Sequence, residues 1–135
     1  MYKNILVPIA FDSDSKAHKS IEVAQALAEP DAKITLLHVM EHIPGYAISY
    51  LPAEYLTQSR AALEKELADM AAKVPGAKGM VIEGHSGRSI LEYGEENGCD
   101  LIIIASHQPA MSDYLLGSTA AVVVRHAHCA VHVLR

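Results

Sequence analysis

Two short stretches carry the residue types from which an anion site is built. Leu116-Gly117-Ser118-Thr119 stands where a helical pattern begins. The first amides of a helix lack a carbonyl partner within their own helix, and the helix dipole is positive there, so negative oxygens are attracted. Gly117 lets backbone come close, and the hydroxyls of Ser118 and Thr119 add donors. The same residues also make a plain helix cap. The second stretch, Ala105-Ser106-His107-Gln108-Pro109, directly follows the most strand-like run of the chain. Its polar side chains could meet a phosphate, and it also reads as an ordinary connecting loop.

Other constellations carry less. Gly84-His85-Ser86-Gly87-Arg88-Ser89 looks phosphate-friendly. It lacks the spacing and the lysine of a P-loop, so capping of a surface helix accounts for it better. Ser106, His107 and Asp113 share one loop, but no Gly-x-Ser-x-Gly elbow exists. Adjacent loop residues seldom face each other, and no catalytic residue is assigned. His126, His128 and His132 fall near Cys129. His126 and His128 straddle a helix end and His132 sits on a strand, so the i, i+4 spacing of helical zinc ligands is missing. No metal site is expected. His38 and His42 have that spacing, but His38 reads as strand. Cys99 and Cys129 form no CxxC pair and stand beside apolar runs. They read as buried, reduced thiols.

These residues need elements to position them. Asn4 to Ile9 is a short apolar run of the kind buried on both faces. Asp12 to Asp14 offers N-caps, and Ala17, Ile21, Ala24 and Ala28 then share a helix face that Pro30 stops. Lys33 to Val39 is a second strand. A loop or lid with Pro44, Gly45 and Pro52 follows; its Tyr46, Tyr50 and Tyr55 either cover a ligand or partner or pack on the sheet. From about Ala53, Leu56, Leu63, Leu67, Met70 and Val74 share a face, ended by Pro75-Gly76. Lys78 to Glu83 is a weaker strand. Ser89 to Asn97 is a short helix with Gly98 in the C-cap place. Leu101 to Ala105 is a strand, Gly117 to about His126 a helix, and Cys129 to Leu134 the last strand.

Strands alternating with helices predict an α/β fold with a parallel sheet and right-handed crossovers. Ligands in such sheets bind outside the carboxyl ends of the strands, where the strand order reverses. The 135 residues suit one domain, 1–135. The net charge is −5 with no basic run, which excludes a sequence-independent grip on nucleic acid. No apolar run reaches the ~20 residues of a membrane span, and the chain starts straight into Ile5-Leu6-Val7 with no signal peptide. A cytoplasmic location is expected, with no membrane partner.

The stretch from Leu101 to Arg135, with Ala105-Ser106-His107-Gln108-Pro109 and Leu116-Gly117-Ser118-Thr119 inside it, resembles the C-terminal signature of universal stress proteins of the UspA family. It is most similar to the small single-domain bacterial F/G-type members, whose phosphate loop reads Ala-Ser-His-Arg-Pro. Tyr2-Lys3-Asn4-Ile5-Leu6-Val7-Pro8-Ile9 and Leu36-Leu37-His38-Val39 match the same family, so the resemblance spans essentially the whole chain. It implies a three-layer, doubly wound sandwich of the adenine nucleotide alpha hydrolase-like kind. Its five-stranded parallel sheet would have order 3-2-1-4-5. It further implies ATP or AMP bound beside strands one and four. Pro8, Ile9 and Val39 would frame adenine, with backbone groups of Ile9 and Val39 on the base edge. Gly84 would open room beside the nucleoside. Ala105, Ser106, His107, Gln108, Pro109, Gly117, Ser118 and Thr119 would hold phosphates and ribose.

The chain departs from the family's Gly-x-x-Gly, nine residues, Gly-Ser pattern. Ala105 and Gln108 replace the first two glycines, and the spacer from Pro109 to Leu116 is eight residues. A non-glycine residue forced into a left-handed conformation there would cost ~1–2 kcal/mol. Ala10 stands where members often carry Asp, with Asp12 two residues on, which argues against a need for magnesium. Two functions are therefore expected. One is a nucleotide-binding stress or signalling protein with at most slow hydrolysis or self-modification. The other is a nucleotide-free interaction module. The last strand would form a bare sheet edge, so a homodimer through it, and a tetramer beyond, are expected partners.

Overall fold

The structure is a computed structural model that describes residues 1–11, 14–42, 45–106 and 117–135. Five strands lie parallel in the order β3-β2-β1-β4-β5. They are β1 (Tyr2–Pro8), β2 (Ala28–Met40), β3 (Ala77–Glu83), β4 (Leu101–Ala105) and β5 (Ala130–Leu134). The helices are α1 (Asp14–Leu27), α2 (Gly45–Ile48), α3 (Ala53–Ala72), α4 (Ser86–Glu96) and α5 (Ser118–His126).

The period-two alternation of strand side chains sorts the core into two layers. Ile5, Val7, Ile34, Leu36, Leu101 and Ile103 point to one face, where α1 brings Ile21 and Ala24 and α3 brings Leu67. Leu6, Leu37, Ile102 and Ile104 point to the other, under Ile90 of α4 and Ala120 and Val123 of α5. That is why Ile5-Leu6-Val7 is apolar without a break: each of the three is fully buried. The connections place β2 and β3 on one side of β1 and β4 and β5 on the other. The strand order thus reverses between β1 and β4, and the crevice outside their carboxyl ends is where such a sheet takes a ligand.

The doubly wound sheet has the expected order, and β4 has the expected bounds. Three elements differ. Ala28 closes no helix face; it opens β2 and pairs with Tyr2, after which the register jumps to Asn4 opposite Lys33. The chain passes this irregularity with Asp31 at φ 67, so Pro30 interrupts a ladder rather than ending a helix. The stretch expected to be a loop contains the short helix α2, and Tyr46, Tyr50 and Tyr55 are exposed rather than packed on the sheet. Helix α4 starts at Ser86, three residues before Ser89.

The two sheet edges are treated differently. On β3, Arg60 of α3 donates to the Val81 carbonyl at 2.9 Å and reaches Glu83 at 3.4 Å, which blunts that edge. β5 lies at the opposite edge, next to β4 alone.

Candidate functional site

The carboxyl end of β1 is held from the β2 side. Pro8 pairs with Leu37, the last step of the β1–β2 ladder. Ile9 is buried; its N–H donates to the Leu37 carbonyl at 2.7 Å, and its own carbonyl lies 2.8 Å from His38 Nδ1. The Phe11 ring meets the His38 imidazole edge-on, with centroids 4.8 Å apart and an interplanar angle of 62°. Both polar backbone atoms of Ile9 are therefore taken by protein, contrary to the expectation that they face a base edge. Ala10 is exposed, and Val39 lies in β2 beyond the end of the ladder with β1.

At the end of β3, Gly84 has φ 150 and donates its N–H to the Met40 carbonyl at 3.0 Å. A Cβ there would overlap Ser89 Oγ, so glycine serves the turn from β3 into α4. The space that Gly84 was expected to leave open is filled by this buried serine. Two residues further, Ser86 Oγ lies 2.8 Å from Thr119 Oγ1 and 3.5 Å from Glu41 Oε1. The first turns of α4 and α5 thus converge over the carboxyl edge.

At the end of β4, Ala105 is an ordinary strand residue paired with Leu134. Among the described residues Asp31 is the one non-glycine with positive φ, so the expected left-handed strain at Ala105 is absent. Ser106 is 2% exposed. Its N–H donates to the Leu134 carbonyl at 2.6 Å, and its carbonyl accepts from Gly117 N–H. Gly117 is the N-cap of α5, Ser118 is exposed and Thr119 half-buried. Asp12, His107, Gln108, Pro109 and Asp113 lie outside the described residues.

The edge therefore joins Pro8, Ile9 and Ala10 of the β1 end, Val39, and the Ser106–Gly117 link into α5. Its chemistry is a partly apolar rim with hydroxyls and a helix start, suited to a base plus an anion. Three further side chains take part. Ser86 belongs to the Gly84–Ser89 run, which reads from sequence as the cap of a surface helix. His38 reads from sequence as a strand residue, which hides its reach to the Ile9 carbonyl. Glu41 gives no signal in the sequence.

A separate cavity of ≈ 200 Å³ lies at the opposite, amino ends of β4 and β5. Cys99, Cys129 and His128 line it, and His128 Nδ1 lies 2.8 Å from Glu95 Oε1. Both thiols are free and half-buried, less covered than expected. Burial first, then Cys129 and Asp100, push the Cys99 thiol up to about 11, and burial raises that of Cys129. Among the described residues no three His, Cys, Asp or Glu side chains form a metal-holding group, and no helix is long and apolar enough to cross a membrane.

Fold and edge together define a doubly wound α/β protein whose strand order reverses between β1 and β4, the place where such sheets bind ligands. The universal stress protein family model matches residues 1–135, and the chain belongs to that family. It is 30% identical to universal stress protein G of Escherichia coli O157:H7 over 142 residues, covering all of both chains. The solved universal stress protein UspA from Lactobacillus plantarum superposes with a TM-score of 0.71 at 27% identity, covering 99% of this chain and 98% of that one. Two members solved with nucleotides share the fold, each with a TM-score of 0.63 and 17% identity. The Arabidopsis thaliana protein, with AMP bound, is matched over 98% of this chain and 90% of its own. The Archaeoglobus fulgidus protein, in complex with dAMP, is matched over 99% and 98%.

Proposed function

We propose that this chain binds an adenine nucleotide, ATP or AMP, in the crevice between β1, β2 and β4. It acts as one domain in the cytoplasm, in stress response or signalling rather than metabolic catalysis. The observation that carries this reading is the end of the β1–β2 ladder at Pro8, which leaves Val39 without a β1 partner at the carboxyl edge. Solved family members holding AMP and dAMP support the ligand class. Pro8 and Ile9 supply apolar walls, and Val39 supplies backbone polar atoms for the base. The first turn of α5, with Ser106 beside it, receives the phosphates. No carboxylate stands at Ala10, so magnesium is not required, and no base is assigned to activate water, so hydrolysis is slow or absent.

A second reading, a nucleotide-free dimeric module, is favoured by one observation. Gly117 N–H and the Thr119 hydroxyl are already held by Ser106 and Ser86. The purified protein, denatured and chromatographed, releases adenine nucleotide if the first reading holds, and added ATP raises its melting temperature. Neither release nor a shift would leave the second reading.

A further inference from the structure

In a parallel ladder, alternate residues of a strand direct both N–H and carbonyl to one neighbour. On β2, the Leu37 carbonyl accepts from Ile9 on the β1 side, and the Met40 carbonyl accepts from Gly84 on the β3 side. Val39 shares the parity of Leu37, so its N–H and carbonyl face β1. If the ladder went one step further, the Ile9 carbonyl would accept Val39 N–H. It is met instead by His38 Nδ1 at 2.8 Å, while the Phe11 ring packs edge-on against the imidazole. Among the described residues, no β1 backbone group pairs with Val39.

We infer that His38 is a positioning residue: by holding the Ile9 carbonyl it ends the β1–β2 ladder and leaves the Val39 amide and carbonyl open to the edge of an adenine base. This rests on the nucleotide reading above and names the device that prepares its base subsite. The open pair fits adenine, whose ring nitrogen accepts and whose amino group donates. The guanine edge presents the reverse polarity and sets donor against donor.

Three variants of the full chain separate the roles. His38→Leu removes the donor. His38→Asn keeps an N–H near the place of Nδ1. His38→Gln places its amide farther out and replaces His38→Leu if that variant fails to fold. Without ligand, Val39 amide exchange measured by NMR is fast in the wild type, about tenfold slower in His38→Leu as the ladder closes, and fast again in His38→Asn. Equal exchange in all three overturns the assignment. By calorimetry, His38→Leu loses about tenfold in ATP affinity and its preference over GTP. Its affinity for tripolyphosphate stays unchanged, and His38→Asn restores ATP. An equal loss for tripolyphosphate, or no loss for ATP, overturns the positioning role. A wild type that binds no ATP while the exchange pattern holds overturns the nucleotide reading alone.

Discussion

The Thr119 hydroxyl lies 2.8 Å from that of Ser86, tying the first turn of α5 to the first turn of α4. Because Ser86 also approaches Glu41 at the end of β2, the bond links both helices to the sheet. Thr119→Val keeps the shape and removes the hydroxyl. A typical hydrogen bond contributes about 1 kcal/mol, so a drop of a few degrees in melting temperature is expected by calorimetry. Ser86→Ala combined with it should cost little more, since the two share one interaction.

Gly87 is buried where α4 crosses α5. A Cβ on it would stand 2.8 Å from Val122 Cγ1 and 2.9 Å from Val122 Cβ. Alanine gains about 1 kcal/mol of helix propensity over glycine, but overpacking costs about 1–3 kcal/mol. Gly87→Ala is therefore expected to be destabilising in urea unfolding, and Val122→Ala in the same chain should recover most of the loss.

The elements were legible where pattern and burial agree. Leu101 to Ala105 is apolar on both faces, and its bounds are those of β4. Gly98 follows the C-cap Asn97 with φ 66, as a left-handed cap requires. The start of α4 was hidden because the Gly84–Ser89 run reads as the cap of a helix opening at Ser89, although the missing Cβ of Gly87 is what lets two helices meet. The start of β2 was hidden because Pro30 and Asp31 look like a stop, while the pairing of Ala28 with Tyr2 lies outside any local window. At the crevice, strand ends gave Pro8, Val39 and Ala105 from sequence alone. What sequence did not reveal is side-chain reach across strands: His38 to the Ile9 carbonyl, and Ser86 to Thr119.

The Cys99 thiol, raised to about 11 mainly by burial, stays protonated at neutral pH. A raised value lowers the thiolate fraction, so alkylation by iodoacetamide, followed by mass spectrometry, should be about 100-fold slower than for a free thiol at pH 7. The rate should climb about tenfold per pH unit until it levels near 11. The same shift means the folded form holds the proton more tightly. Its contribution to stability is full below the unfolded value and is lost as pH rises through the folded one.

The β5 edge tests the proposed homodimer. The Leu134 carbonyl accepts from Ser106 N–H, so even-numbered residues of β5 face β4 and Val133 directs its N–H outward. Val133→Pro removes that outward donor and spares the β4 ladder. Sedimentation should give a dimer for the wild type and a folded monomer for the variant. A variant that remains dimeric places the interface elsewhere.

Adenine nucleotide binding at the carboxyl edge is tested most directly by titrating ATP into the wild type and Gly117→Asp in a calorimeter. Gly117 has φ −59, which any residue adopts, and Asp is a good N-cap, so the variant should fold at least as well. The expected result is saturable ATP binding by the wild type and a loss of at least about tenfold in the variant, because its carboxylate repels phosphate. No heat and no shift in melting temperature with millimolar ATP in the wild type would contradict the account, and equal binding by both proteins would move the phosphates away from α5.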